Sequence, residues 1–518
     1  MSGNTGDQPM YAMQNLDRRG FLKLAGLGTA AAAMPQSLWA DEAKNSLPNI
    51  VFILADDMGY GDLACQNPDS KIPTPNLDRF AHEGVRFTDV HSPSAVCTPT
   101  RYGILTGRYC WRSRLKRSVL WPWDPPLIEQ GRMTGPALLK KHGYSTACIG
   151  KWHLGWNWPF VKEADKARDK AVPCDALDWG KPITGGPLAC GFDYYFGDDV
   201  PNFPPYVFIE NERTLGVPSE QKPQTMYGNP GPMLPGWKLE AVVPAITGKA
   251  VQWIEDNAKQ TPERPFFLYF PLTAPHEPIV PAEEFKGKSK AGDYGDYVVE
   301  VDWAVGEVLE ALELNGAARN TLLIFTSDNG PEVSAYERAR ISHHYSMGDL
   351  RGIKRDIWEG GHRVPFIARW PGRTKPGTTS NEIICLTDFM ATVAAIVGYK
   401  LPEDAGEDSY NILPALLGEP LSQPIREATV HHSYDGKFAI RRGNWVLIDA
   451  SSGGENKEPD WFLQERAYGR DDQPGELYDL NQDLPERRNL YTERPEIVAD
   501  LKALLEKYKK DGRSAPRP

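Results

Sequence analysis

The chain alternates short, uniformly apolar runs with longer amphipathic stretches. Asn49-Ile50-Val51-Phe52-Ile53-Leu54-Ala55 has no polar position after its first residue and stops at Asp56-Asp57. A run apolar on both faces predicts a central strand of a parallel sheet, because helices cover such strands on both sides. Three further runs have the same shape. Tyr144 to Ile149 leads into Gly150-Lys151-Trp152-His153, and Pro265 to Phe270 leads into Ala274-Pro275-His276. Thr321 to Thr326 leads into Ser327-Asp328-Asn329-Gly330. Helical spacing lies between them, over Gly135 to His142 and over Asp296 to Leu314, the latter apolar at Val299, Trp303, Val308 and Leu312. The alternation predicts an α/β fold, a large mixed, mostly parallel sheet sandwiched by helices.

Residues 155–240 break that rhythm. They are rich in Pro, Gly, Trp and Tyr and predict long loops over the mouth of the sheet. After Pro424 the pattern changes again. Lys437–Arg441 and Asn444–Ile448 read as antiparallel strands joined by Arg442-Gly443, followed by Glu476–Leu480 and a last helix from Pro495 to Lys509. The chain therefore reads as a main domain over 41–424 and a smaller α+β subdomain over 425–518, with a short antiparallel sheet and a terminal helix. There is no internal repeat.

The first forty residues read as an address. Arg18-Arg19 in Asp17–Lys23 precedes the Ala/Gly-rich run Leu24–Met34, and the small residue Ala40 stands before Asp41. This is the pattern of a twin-arginine signal peptide over 1–40, against the plainer reading of an amphipathic surface helix. The run is too short and too weakly apolar to span a bilayer core of ~30 Å. Export of the folded protein by the twin-arginine machinery, to the periplasm or beyond, is the expectation. Met13 is an alternative start, since residues 1–12 add nothing such a signal needs.

Composition narrows the function. The 518 residues carry Lys+Arg 58 against Asp+Glu 69, a net charge of −11. That balance argues against nucleic acid as a partner but leaves room for an anionic small substrate in a locally cationic pocket. Seven cysteines are too few for a disulfide scaffold, and the odd count leaves at least one thiol over. Cys148 reads as a buried thiol within a strand, and Cys174 with Cys190 is the first candidate for a disulfide, which spatial distance decides.

Four strand ends carry polar clusters: Asp56-Asp57, Lys151 with His153, His276, and Asp328-Asn329. The C-terminal edge of a parallel sheet is where α/β proteins bind ligands, so four such ends together predict a site. Taken alone, Asp56-Asp57 fits a solvated strand end equally well. Three carboxylates and an amide offer only oxygen, the preference of a hard cation, with Ca²⁺ ahead of Mg²⁺.

The segment Cys97-Thr98-Pro99-Thr100-Arg101, followed by Thr106-Gly107-Arg108, resembles the signature of the type I, formylglycine-dependent sulfatases. Other landmarks follow in family order: the Asp56-Asp57, Lys151/His153, Pro275-His276 and Asp328-Asn329 segments, then Leu350–Lys354, Trp358–Gly361 and Trp370–Gly372. The similarity spans about residues 47–510 and lies nearest the arylsulfatase and N-acetylgalactosamine-6-sulfatase branch of the alkaline phosphatase superfamily. It implies an alkaline phosphatase-like fold and oxidation of Cys97 to formylglycine by a formylglycine-generating or anaerobic sulfatase-maturating enzyme.

The same resemblance implies Ca²⁺ held by Asp56, Asp57, Asp328, Asn329 and residue 97. Arg101, on the helix face of Cys97, would hold the hydrated aldehyde. Lys151, His276 and Lys354 would contact substrate, and His153 would take the proton that releases sulfate. His276, sharing the work with Lys354, would protonate the leaving oxygen. Asp328 is a further acceptor for the attacking hydroxyl's proton. Elementary chemistry agrees: a hydrated aldehyde attacks through one hydroxyl and expels sulfate through the other, splitting one hard step into two.

The expected substrate is a sulfated carbohydrate or an aryl sulfate. A phosphonate or phosphate monoester hydrolase of the same superfamily is the enzymatic rival, and an exported glycan-binding protein with an unconverted Cys97 is the non-enzymatic one. Thr100 stands where the family commonly has serine, and Asp199 and Asn202 fall where some members add a small polar residue. His343-His344 is a candidate for touching substrate, whereas His431-His432 suits a structural or rim role. Trp111, Trp121, Trp123, Trp156, Trp158 and Trp179 divide between core packing and sugar stacking.

Overall fold

Side chains of β1 (Asn49–Ala55) divide by parity between two helical layers. Ile50, Phe52 and Leu54 enter one apolar cluster, and Val51, Ile53 and Ala55 enter the other. That is the period-2 geometry of a strand covered on both faces. The computed structural model describes residues 47–162, 171–469 and 472–517, so the expected signal segment lies outside the described residues.

The remaining strands of the main sheet are, in chain order, β2 (Val85–Phe87), β3 (Ser145–Ile149), β4 (Tyr194–Gly197), β5 (Ile209–Glu210), β6 (Arg213–Thr214), β7 (Phe266–Pro271), β8 (Thr321–Ser327), β9 (Phe366–Arg369) and β10 (Thr378–Ser380). They lie in the order β10-β2-β9-β8-β1-β7-β3-β4-β5-β6. The central five, β8-β1-β7-β3-β4, are parallel, with Ile50 opposite both Phe267 and Leu322. β9 runs antiparallel to β8 and β2, and β5 and β6 close the far edge as a hairpin. The sheet is mixed and mostly parallel, as its apolar runs predict.

Seven helices matter here: α1 (Pro75–Glu83), α2 (Cys97–Thr106), α3 (Gly135–Lys141), α4 (Val242–Gln260), α5 (Gly292–Leu314), α6 (Phe389–Ile396) and α7 (Pro495–Asp511). Tyr102, Leu138 and Met390 put α2, α3 and α6 on one face of the sheet. Leu77, Ile246 and Val305 put α1, α4 and α5 on the other. Residues 155–240 are not loop throughout, because β4 continues the parallel sheet beside β3 and β5–β6 extend its edge. These strands are only two to four residues long, too short to register as a period against the surrounding Pro and Gly.

The closing unit is a four-stranded antiparallel sheet of β11 (Thr429–His432), β12 (Phe438–Arg442), β13 (Trp445–Ile448) and β14 (Glu476–Asp479). Its Ile440 and Leu447 pack on Leu501 and Leu505 of α7 together with Tyr109 and Trp111. Ala439, Val446 and Ile448 face the other way, onto Ile357 and Trp358. The small sheet is thus apolar on both faces. Among the described residues, no helix is long and apolar enough to cross a membrane.

Candidate active site

Backbone hydrogen bonds beyond the strands draw their ends together. Asp56 N–H donates to Ala274 O at 3.0 Å, Asp328 N–H to Ala55 O at 3.1 Å, and Lys151 N–H to Pro271 O at 2.8 Å. The four polar clusters therefore share one edge. Gly150 is required there: its φ is 127°, and a Cβ would lie 1.9 Å from Pro271 O. Asp57 (φ 64°) and His153 (φ 55°) adopt left-handed backbone without being glycine. Such conformations cost ~1–3 kcal/mol each and persist where the surroundings over-determine them.

Helix α2 delivers the cysteine. Cys97 is its first residue, after Val96 in extended conformation, and all ten residues of the helix are buried. Pro99 lies within the first turn, where a missing N–H costs no helical hydrogen bond. The free N–H groups and dipole of that turn favour an anion. Arg101 follows one turn later, and Gly107 ends the helix at φ 65°, where a Cβ would meet Met390 Cβ at 2.7 Å. Thr98 and Thr100 are tied down by hydrogen bonds to His153 O at 3.2 Å and Ser94 O at 3.0 Å.

Around Cys97 the charges interlock. Arg101 donates from Nη2 to Asp328 Oδ2 at 2.7 Å and lies 3.6 Å from Asp56 Oδ1. Lys151 Nζ donates to Asp56 Oδ2 at 2.6 Å, and Lys354 Nζ to Asp57 Oδ2 at 2.7 Å. Asn329 donates from Nδ2 to Asp57 Oδ1 at 2.7 Å. His276 Nε2 stands 3.8 Å from Asp57 Oδ2. Every residue expected in the site is brought together.

His153 is held in one tautomer. Its Nε2 is 2.9 Å from Leu120 O and so carries the hydrogen, leaving Nδ1 bare and 3.3 Å from Cys97 Sγ. Burial, then Lys151, pushes this imidazole down to about 3, so it is a neutral acceptor near pH 7. Burial and Lys354 push His276 down to about 4. Burial raises Asp56, but Lys151, His276 and Arg101 override it and hold the carboxyl well below its usual range. Asp328 is pushed up by burial and by the neighbouring Asp56. Against burial, Asp57 and Glu332 keep Lys354 protonated.

The oxygen set fits a hard cation. Asp56 Oδ1 and Asn329 Oδ1 are buried without a hydrogen-bond partner, beside Asp57 and Asp328. Orphaned acceptors of this kind are costly unless something positive reaches them.

Glu332 escaped the sequence pattern, and Asp199 was placed near the site only by a loose resemblance. Asp199 Oδ1 accepts both the His153 backbone N–H and Trp156 Nε1–H at 3.0 Å each. Glu332 is 3.6 Å from Lys354 and pairs with Arg355. Nothing in the local pattern marks Glu332, whereas the position of Asp199 just after β4 was a signal available once β4 is recognised as a strand.

Other expectations resolve differently. His344 is fully buried, bonded to Asp62 at 2.8 Å and accepting Lys71 N–H at 3.2 Å, so both ring nitrogens are spent on structure. His343 is exposed on a left-handed turn. All seven cysteines are free thiols, Cys174 and Cys190 included. Trp111, Trp123, Trp156 and Trp158 are core residues. Trp121 stacks on Phe203 with centroids 5.9 Å apart, and Phe203 meets His153 edge-on at 5.7 Å.

The sulfatase family model matches residues 48–399. The chain belongs to the sulfatase family. A second model, the C-terminal region of N-sulphoglucosamine sulphohydrolase, matches residues 353–511 of this sulfatase. The sulfatase is 34% identical to an N-acetylgalactosamine-6-O-sulfatase of Bacteroides thetaiotaomicron, over 92% of this chain and 96% of that protein. It is 32% identical to human arylsulfatase A, over 88% and 87% of the two chains. A solved structure concerned with glycosaminoglycan metabolism by Bacteroides thetaiotaomicron superposes with a TM-score of 0.76 at 32% identity, covering 90% of this chain and 100% of that one. The reaction class of the site is sulfuric ester hydrolysis.

Proposed function

We infer that this sulfatase removes sulfate from a sugar through a formylglycine made from Cys97, with Ca²⁺ held by Asp56, Asp57, Asp328 and Asn329. The observation that carries this reading is the bare Nδ1 of His153 at 3.3 Å from Cys97 Sγ, with three cations gathered beside it. A proton acceptor aimed at residue 97 suits a nucleophile that must shed a proton to release its product. The names of the relatives, sulfatases of N-acetylgalactosamine and of aryl esters, support a sulfated carbohydrate first and an aryl sulfate second.

As a hydrated aldehyde, residue 97 supplies one hydroxyl to attack sulfur and a second whose deprotonation returns the carbonyl. Bound Ca²⁺ supplies positive charge to the nucleophile and sulfate oxygens. Lys151 and Lys354 stabilise charge on the sulfate as preorganised cations. Lys354, kept protonated by Asp57 and Glu332, delivers a proton to the departing oxygen, and the neutral His276 beside it contacts the substrate. His153 then takes the proton whose loss frees sulfate, and Leu120 O and Asp199 hold the imidazole in place for it.

The twin-arginine pattern over 1–40 supports action in the periplasm or beyond. Export in the folded state puts any conversion of Cys97 by a maturation enzyme before translocation. The test of the reaction is turnover of a sulfate and a phosphate ester of one phenol by protein made in a maturing host. The sulfate ester is expected to react faster by orders of magnitude. A faster phosphate ester contradicts the reading, and binding of sulfated sugar without any turnover favours a glycan-binding protein.

A further inference from the structure

Two pairs of residues flank the site, Tyr227 with Glu277 and Glu332 with Arg355, and of these only Glu332, through Lys354, enters the steps above. On the His276 side, the exposed Tyr227 (50% exposed) donates its hydroxyl to Glu277 Oε2. Glu277 in turn accepts the His276 Nδ1–H on its carbonyl at 2.5 Å. On the Lys354 side, Glu332 pairs with both Nη atoms of Arg355, at 2.5 and 2.8 Å, and Val333 beside it is 47% exposed. Arg355 is another non-glycine residue in left-handed backbone, at φ 82°, and its side chain is one-third exposed.

These groups flank one site, since His276 and Lys354 both reach Asp57 Oδ2, at 3.8 and 2.7 Å. Burial and the Glu277 bond push the Tyr227 hydroxyl up, and Glu332 and Lys354 act on it as well. Arg355 in turn feels Glu332, Asp57 and Cys97. The Tyr227 segment is fixed there, because Asn229 N–H donates to Asn202 O at 2.8 Å, next to the Phe203 that abuts His153.

The chemistry of this rim differs from that of the floor. The floor pairs three carboxylates with three cations, so a bound divalent ion would make it cationic and suited to sulfate. The rim offers an exposed aromatic face, a valine, the half-buried Glu277 carboxylate and the one-third exposed Arg355 guanidinium, already neutralised by the buried Glu332. Such a surface suits the hydroxyl groups and apolar faces of an uncharged ring, and it repels a second anion.

Resting on the sulfatase reading, we propose that Tyr227, Glu277 and Arg355, the last positioned by Glu332, bind the sugar that carries the scissile sulfate and select a ring whose other substituents are uncharged. Its test uses the full chain from a maturing host and three substrates. These are a monosulfated N-acetylhexosamine, the same sugar bearing a second sulfate, and an aryl sulfate.

The monosulfated sugar is expected to exceed the disulfated one in kcat/KM by at least ~10-fold. Glu277→Gln is expected to narrow that ratio at least ~3-fold. Tyr227→Ala is expected to cost the monosulfated sugar at least ~10-fold more than it costs the aryl sulfate, with Tyr227→Phe intermediate. Equal or better turnover of the disulfated sugar, or variants that lower sugar and aryl ester in parallel, overturns the inference while leaving the sulfatase reading intact. Release of sulfate from none of the three overturns both.

Discussion

In the proposed reaction the chemistry turns on His153, and the role is set by what holds the residue. The hydrogen bond to Leu120 O fixes the tautomer, and Asp199 fixes the strained backbone that aims the ring. Asp199→Ala removes the acceptor for two buried N–H groups, each worth ~1–3 kcal/mol when left unpaired. The variant should unfold at lower urea concentration. It should also lose ~100-fold in kcat, with a smaller change in KM, since misplacement of a reacting group by about an ångström costs that much. Cys97→Ala should bind sulfated substrate yet release no sulfate above background, which calorimetry and an ion assay on one sample can establish. Asp56, Asp57, Asp328, Asn329, Lys151, His153 and His276 were legible in the sequence because each ends or closely follows an apolar strand. Lys354 was legible only through the resemblance carried by Leu350–Lys354. Asp199 was only half legible, since the strand before it is four residues long.

At the scale of elements, the apolar runs gave away β1, β3, β7 and β8, for a strand buried on both faces has no polar position to hide it. The sheet edge at β4–β6 was not legible, and neither was the join between the small sheet and the rest. That join is built from distant residues. His91 Nδ1 and His362 Nδ1 lie 3.1 Å apart, and the His362 ring stacks on His431 of β11 at 3.9 Å and 7°. Parallel rings cannot both point a nitrogen at one cation, so His362 and His431 pack against each other rather than share a metal.

Asp89, Glu359, Arg363 and Arg441 surround the three histidines. Burial lowers all three, with His362 pushed down to about 3 and His431 well below its ordinary value. At these three positions the unfolded chain therefore binds protons below pH ~6.5 that the folded chain refuses, so their contribution to stability is flat above that pH and falls as the pH drops. Asp89 and Glu359, held low against burial by arginines and histidine, act in the same direction at more acidic pH. Denaturant midpoints of the wild type and a His431→Leu variant from pH 8 to 5 should diverge in slope below about 6.5. His431→Leu should reduce the slope below it by ~1.4 kcal/mol per pH unit.

For the molecule as a whole, the net charge of −11 describes the outer surface and not the pocket. Inside, Asp56, Asp57 and Asp328 are matched one for one by Lys151, Lys354 and Arg101. A divalent cation on the orphaned oxygens would leave the pocket positive, which suits a sulfate ester. The internal pairing also means that the fold should survive without metal. Chelation should abolish turnover and lower Tm by the equivalent of ~2–4 kcal/mol of lost binding, without unfolding the protein at room temperature. Added Ca²⁺ should restore both, as scanning calorimetry and a sulfate-release assay can follow. Loss of structure on chelation would assign the metal a folding role instead.

The central claim is that residue 97 works as an aldehyde and not as a thiol. Mass spectrometry of the peptide from Phe87 to Arg101, taken from protein purified out of its native host and hydrolysing sulfate esters, tests it most directly. The account predicts formylglycine or its hydrate at residue 97. An intact Cys97 thiol throughout such an active preparation would contradict it.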